Sequence, residues 1–331
     1  MPEDTPITQT RICIQQTPKH EQDAINQKRL KGSSDMHIQK LSAAFNASKI
    51  WPAGTTINIA FLEDGENVPR TPINPVYTDT GRKVDPDPLS LITAHMKTKD
   101  AVQKIVTDRI APLVNLKFNF VTNPSEAQVR ISFEPNGGAW SLVGTDCLQE
   151  TDGATMNLGW FDVATVMHEF GHTLGMIHEH QNPHDNPILW NEEKVFQWAR
   201  ETQGWSSETT RENIIDTPNY GINGSQFDPL SIMLYFFPAD LTTNNKGTHQ
   251  NLRLSGLDAE WIAKMYPKTD EDPDETADDF YQLTYGESLQ DAIEKSETEA
   301  LGSKNGKINW LLIIIILAFI LIMAIIIIKN R

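Results

Sequence analysis

Three histidines and a glutamate fall within one short segment, His168-Glu169-Phe170-Gly171-His172-Thr173-Leu174-Gly175-Met176-Ile177-His178. Helix positions four apart share a face, so His168 and His172 present two imidazoles to one ion. Zinc takes imidazole nitrogen at about 2.0–2.1 Å in a tetrahedral set. Glu169 lies about 100° further round the helix, off the metal and beside a water that the metal would hold. Gly175 adopts positive φ at little cost. The helix can therefore end there, and the chain turns back to bring in His178 as a third ligand. Three protein ligands leave the fourth position to water, the arrangement of a catalytic zinc. The chemistry expected is hydrolysis by an acidified water, with Glu169 as general base. Val163, Val166, Phe170 and Leu174 give the same helix an apolar face. That face accounts for burial, but not for three histidines, a glutamate and a glycine at these offsets.

Ser231-Ile232-Met233-Leu234-Tyr235 lies downstream. Zinc ligands at this spacing followed by a methionine turn form the metzincin signature. Met233 is expected as an apolar floor beneath the ligands and Tyr235 within reach of the metal. On these residues, 51–267 resemble a metzincin of the astacin-like group. That group carries a glutamate directly after the third histidine, matched by Glu179, and a tyrosine two residues after the methionine, matched by Tyr235. The resemblance implies a zinc-dependent endopeptidase with one Zn2+ per chain and a protein or peptide substrate. It implies that Tyr235 stabilises the oxyanion. It also implies that Ala139, Trp140, Ser141, Leu142 and Val143 form an edge strand that pairs with extended substrate.

The chain departs from the group's pattern in four places. Its catalytic segment holds only Cys147, where the group has four paired cysteines. Met176 replaces an aromatic and Leu234 replaces a histidine. An extension of some fifty residues precedes the domain, so the group's pairing of Glu179 with a freed N-terminal amine is not expected.

The fold expected is α+β: a twisted, mostly parallel five-stranded sheet, two long helices above the cleft, and an irregular lower subdomain. Residues 56–61, 116–121, 128–133, 139–143 and 155–158 alternate as strands. Residues 88–113 carry apolar residues at helical spacing. Asp162 is placed to cap the helix of the motif. Ser255 and Asp258 have the spacing of a capping box that opens a last helix. Beyond Gly175 the pattern is irregular and rich in Pro, Asn and Asp. His180 and His184 stand near the site, but three ligands already complete it.

The 331 residues carry a net charge of −16, which argues against nucleic acid as a partner. Two cysteines, Cys13 and Cys147, exclude a disulfide scaffold; one bridge between them is open, and two free thiols are the favoured reading. Residues 270–299 hold twelve acidic residues and one lysine. The resulting division is an N-terminal extension or pro-segment over 1–47, a catalytic domain over 48–268, a solvated acidic stalk over 269–307, a membrane helix over 308–328 and a short tail over 329–331. Ile308 opens and Ile328 closes the apolar run, which is long enough to span a bilayer as a helix. With no apolar leader at the start of the sequence, the expectation is a single-pass tail anchor in the lipid bilayer. The catalytic domain would then lie on the cytosolic side or on the outside of a membrane-wrapped particle. Two other readings are a zinc-binding pseudoenzyme with a structural or receptor role, and a latent form whose residues 1–47 block the cleft.

Overall fold

The structure, a computed structural model, describes residues 14–16, 45–46, 48–77, 83–183, 186–217, 222–223, 226–268 and 276–305. Six strands make the main sheet: β1 (Ile14–Gln16), β2 (Thr56–Phe61), β3 (Lys117–Phe120), β4 (Val129–Ser132), β5 (Ala139–Leu142) and β6 (Met156–Leu158). Their spatial order is β1-β5-β6-β4-β2-β3. Strands β3, β2, β4 and β6 run parallel, and β5 runs antiparallel to β6. These five are the mixed, mostly parallel sheet expected from the sequence. The sixth, β1, is an addition from the N-terminal extension and runs parallel to β5.

The principal helices are α1 (Thr98–Ile105), α2 (Val163–Thr173), α3 (Glu192–Gln203), α4 (Gly256–Met265), α5 (Ala277–Tyr285) and α6 (Leu289–Asn305). Parallel strands are hydrophobic on both faces because helices cover them. Ile57 and Ile59 of β2, Ile131 of β4 and Met156 of β6 accordingly pack with Val102 and Ile105 of α1 and Val166 and Phe170 of α2 in one core. Each such side chain contributes about 1.5–3 kcal/mol when fully buried. The Phe170 ring meets Phe118 edge-on, with centroids 6.5 Å apart, which seats α2 against the sheet.

The single helix expected over 88–113 is broken. A short turn, Leu89–Thr93, is followed by an irregular link and then by α1, which continues through wider and tighter turns to Leu113. Lys97 is extended at ψ 145°. Arg70 donates to the carbonyls of Thr93 and Met96, so the carbonyls freed by the break are satisfied from outside the helix.

The lower subdomain also holds more regular structure than its composition suggested. Asn191 caps α3 by accepting from Lys194 N, and Gly204 closes it in the left-handed region. Val195 of that helix joins Trp160, Ile214, Tyr235, Phe237 and Leu241 in a second apolar cluster.

Two boundaries need correction. The catalytic unit starts before residue 48: Phe45 is fully buried, and Asn46 N donates to Gly175 O at 2.9 Å. Residues 276–305 are not a solvated stalk. They form the hairpin α5–α6, with Phe280, Tyr281 and Ala292 in the main core. Net charge averaged over the segment conceals these apolar residues on one face of each helix. Among the described residues no helix is long and apolar enough to cross a membrane. The expected span over 308–328 lies outside the described residues, as do Cys13 and His184.

Candidate metal centre

Helix α2 starts where Asp162 Oδ1 accepts from Thr165 N at 2.7 Å. It ends at Gly175, whose φ is +92°. Gly175 N donates to His172 O and Met176 N to Gly171 O, so the turn closes on the helix's own last carbonyls. The chain then reverses and delivers His178 to the face that carries His168 and His172. Ligand atoms of these three residues all lie within 4.8 Å of one another. All three side chains are buried.

The ring orientations are set by backbone carbonyls. His168 Nδ1 donates to Ile232 O at 2.8 Å, and His172 Nδ1 donates to Met176 O at 2.8 Å. Each bond fixes the proton on Nδ1 and leaves Nε2 as a bare lone pair. His168 Nε2 is buried with no hydrogen-bond partner among the described residues. Burial draws His168 down to about 4, and holds His172 and His178 well below the ordinary imidazole range. The rings are therefore neutral at pH 7, the form that ligates metal. His172 Nε2 and His178 Nε2 stand 3.1 Å apart. Two nitrogens held tetrahedrally at about 2.05 Å from zinc are separated by roughly 3.3 Å. Donor type, protonation and spacing all fit a zinc ion at this point.

Glu169 is fully buried one residue after His168. Tyr235 is buried too, with its hydroxyl in a short contact with His178 Nε2 and its ring centroid 4.3 Å from that imidazole. Met233 is fully buried beneath α2. A Cβ on Gly171 would lie 2.5 Å from Met233 Sδ, so the glycine inside the motif lets the methionine turn approach the helix. Glu179 N donates to Met233 O at 3.0 Å, tying the third-ligand loop to that turn.

Glu179 does not meet an N-terminal amine in the described residues. Its Oε1 accepts from Asn182 Nδ2 at 2.9 Å and from Asp228 N at 2.7 Å. Burial and the neighbouring Asp228 push its carboxyl well above the usual range. His180 is buried against Tyr235, Trp190 and Phe237. Its Nε2 lies 2.9 Å from Asn213 O, outside the ligand trio. Cys147 is a buried free thiol, pushed up to about 12 by burial.

Strand β5 covers Ala139, Trp140, Ser141 and Leu142, while Val143 lies just past its end at the start of the next turn. The outer edge of β5 is occupied. Ile14, Gln15 and Gln16 pair in parallel with Trp140, Ser141 and Leu142. Sequence reasoning found the three ligands and the methionine turn packed beneath them, and it placed Glu169 on the ligand helix, where it is buried. It missed the carbonyls of Ile232 and Met176, and the seating of β1, because none of these carries a side-chain signal.

Comparison with known proteins agrees with this geometry. The model of the astacin peptidase family matches residues 98–266. A solved structure of myroilysin is 30% identical, with a TM-score of 0.52, and the match covers 68% of this chain and 99% of that one. A second myroilysin crystal structure is 31% identical over 67% of this chain and 87% of its own, with a TM-score of 0.42. High choriolytic enzyme 1, a hatching enzyme zinc-protease from the medaka fish Oryzias latipes, is 15% identical over 70% of this chain and 100% of its own, with a TM-score of 0.39. No curated protein matched in a separate comparison. With three neutral histidines converging on one point and the family model spanning helix and methionine turn, the chain belongs to the astacin family of zinc metalloendopeptidases.

Proposed function

We propose that this peptidase cleaves with Glu169 as its general base and Tyr235 as its oxyanion donor. The observation that carries the reading is the convergence of His168, His172 and His178 on one point, with Glu169 buried on the same helix. Zinc bound by these histidines supplies Lewis acidity: it lowers the pKa of a water toward 7 and polarises a carbonyl. Glu169 takes the proton from the attacking water and passes it to the leaving amine. Burial deprives its carboxylate of competing solvent, which strengthens that proton transfer. The Tyr235 hydroxyl donates to the charge that develops on the carbonyl oxygen. Strand β5 offers backbone donors and acceptors along Ala139, Trp140, Ser141 and Leu142 for an extended peptide.

A latent ground state is the second reading, favoured by the pairing of β1 with β5. A peptide seeking the same edge must displace Ile14–Gln16. The pseudoenzyme reading is disfavoured by the retention of Glu169 and Tyr235 beside the three ligands.

Membrane anchoring is proposed on the sequence alone. Residues 308–328 form an apolar run of spanning length flanked by Lys307 and Lys329,. The catalytic domain would face the cytosol, or the outside of a membrane-wrapped particle. Protease protection on sealed microsomes tests this; shielding of the catalytic domain until detergent is added would refute it. The activity itself is tested on a random peptide library, with and without chelator. Zinc-restored cleavage is expected, and stoichiometric zinc binding without any cleavage would favour the pseudoenzyme.

A further inference from the structure

The methionine turn is held by a pair of buried carboxylates. Asp258, in the first turn of α4, accepts from Ile232 N at 2.7 Å through Oδ2 and from Ser231 Oγ at 2.7 Å through Oδ1. Ile232 is the residue whose carbonyl orients His168. Asp228 accepts from Leu230 N at 2.8 Å and from Ser255 Oγ at 2.5 Å. Ser255 is the N-cap of α4, and it links the two acids: its Oγ accepts from Asp258 N, and its own N donates to Asp258 Oδ2. Asp228 N also donates to Glu179, the residue after His178. Two of the three ligands are thus one or two bonds from this carboxylate pair.

Helix α6 seals the pair from the outside. Gly256, directly after Ser255, is packed so closely that a Cβ there would lie 2.6 Å from Ile293 N and 2.8 Å from Ala292 Cβ. Ser296, one turn further along α6, is fully buried near Asp228, whose pKa it lowers, and its hydroxyl makes no hydrogen bond of normal geometry among the described residues. The hairpin is fixed to the domain at several other points. Tyr281 Oη donates to Leu254 O at 3.1 Å, Arg253 pairs with Glu287 at 2.6 Å, and Tyr285 Oη donates to Asp87 Oδ2 at 2.9 Å. All of the hairpin lies beyond residue 266, where the match to the family model ends.

We propose that the C-terminal hairpin α5–α6 is a positioning element of the zinc site, acting through Gly256 and Ser296 on the Asp228–Asp258 pair and thence on Ile232 and His168. Partners that orient metal-ligating histidines change metal affinity typically 10–100-fold when altered. A pair of acids kept from water by one helix couples the seat of that helix to the turn both acids hold. Displacing α6 admits water, loosens the hold on Ser231 and Ile232, and frees the His168 ring to tilt. The proposal rests on the zinc-site reading but not on the role of Glu169, so metal binding alone can test it.

The test compares Gly256→Ala, Ser296→Ala and, as an outer-face control, Leu283→Ala in the full chain. Leu283 is 76% exposed on α5. Each protein is titrated with cobalt after removal of bound metal, its visible absorption bands are recorded, and kcat and KM are measured on one peptide. Gly256→Ala and Ser296→Ala should weaken metal binding roughly tenfold and shift the cobalt bands. Their kcat should fall with KM little changed, while Leu283→Ala matches the parent. If Gly256→Ala fails to fold, Ser296→Ala decides alone. Parental cobalt spectra and metal affinity in the folded variants, even with a lowered Tm, would overturn the proposal and leave the hairpin a stabilising element only. Cobalt binding that responds as expected in a chain that cleaves nothing would leave this proposal standing and remove the catalytic one.

Discussion

His172 and His178 face each other through Nε2 atoms 3.1 Å apart, and the proton of His172 is committed to Met176 O. Two buried ring nitrogens at this separation are stable when a cation sits between them. Removing zinc should therefore destabilise the fold as well as abolish activity. A ligand at 100 times its Kd stabilises by about 2.7 kcal/mol, so chelation should lower Tm by several degrees. His178→Ala should lose stoichiometric zinc, read by elemental analysis; parental zinc affinity in that variant contradicts the three-ligand assignment.

Tyr235→Phe keeps the ring packed against His178 and His180 and removes only the hydroxyl. Loss of one oxyanion donor costs about 10²–10³ in kcat. Zinc content and KM should change little. A variant with parental kcat would assign the tyrosine to packing.

Prolines at Gln15 and Gln16 test the latent reading. Consecutive N–H groups in a strand point to opposite edges, so the double substitution removes a donor toward β5 whichever edge β1 presents. Hydrolysis of a long peptide should rise, chiefly through a lower KM. Unchanged kinetics would mean that β1 does not compete with substrate.

Arg109 and Asp87 form a buried pair. Arg109 Nε lies 2.9 Å from Asp87 Oδ2, and Tyr285 Oη donates to the same oxygen. Arg109→Met leaves that carboxylate buried and uncompensated, which costs about 3–5 kcal/mol. In a domain of this size Tm should drop by roughly 10 °C, measurable by calorimetry. A drop of under about two degrees would show that water reaches Asp87.

The zinc site was legible because its grammar is local. Three ligands, the glutamate proposed as base and a turn-forming glycine fall within one helix and one reversal, where 3.6-residue periodicity alone places them. Met233 and Tyr235 lie far along the chain and became legible only as a companion motif. Partners made of backbone, such as Ile232 O and Met176 O, leave no trace in side-chain type. The hairpin α5–α6 was readable in principle: Thr276 and Asp279 form a capping box and Gly286 closes α5. The charge of the segment outweighed those signals. Helix α3 was missed because the stretch beyond Gly175 is rich in Pro, Asn and Asp, although Asn191 opens the helix and Gly204 closes it.

Glu169→Gln most directly tests the account. The substitution preserves shape and burial and removes basicity. The variant should fold, keep one zinc per chain by elemental analysis, and lose at least about 10²-fold in kcat, within the 10²–10⁴ that a general base typically contributes. A zinc-loaded Glu169→Gln protein that cleaves within tenfold of the parent would contradict it.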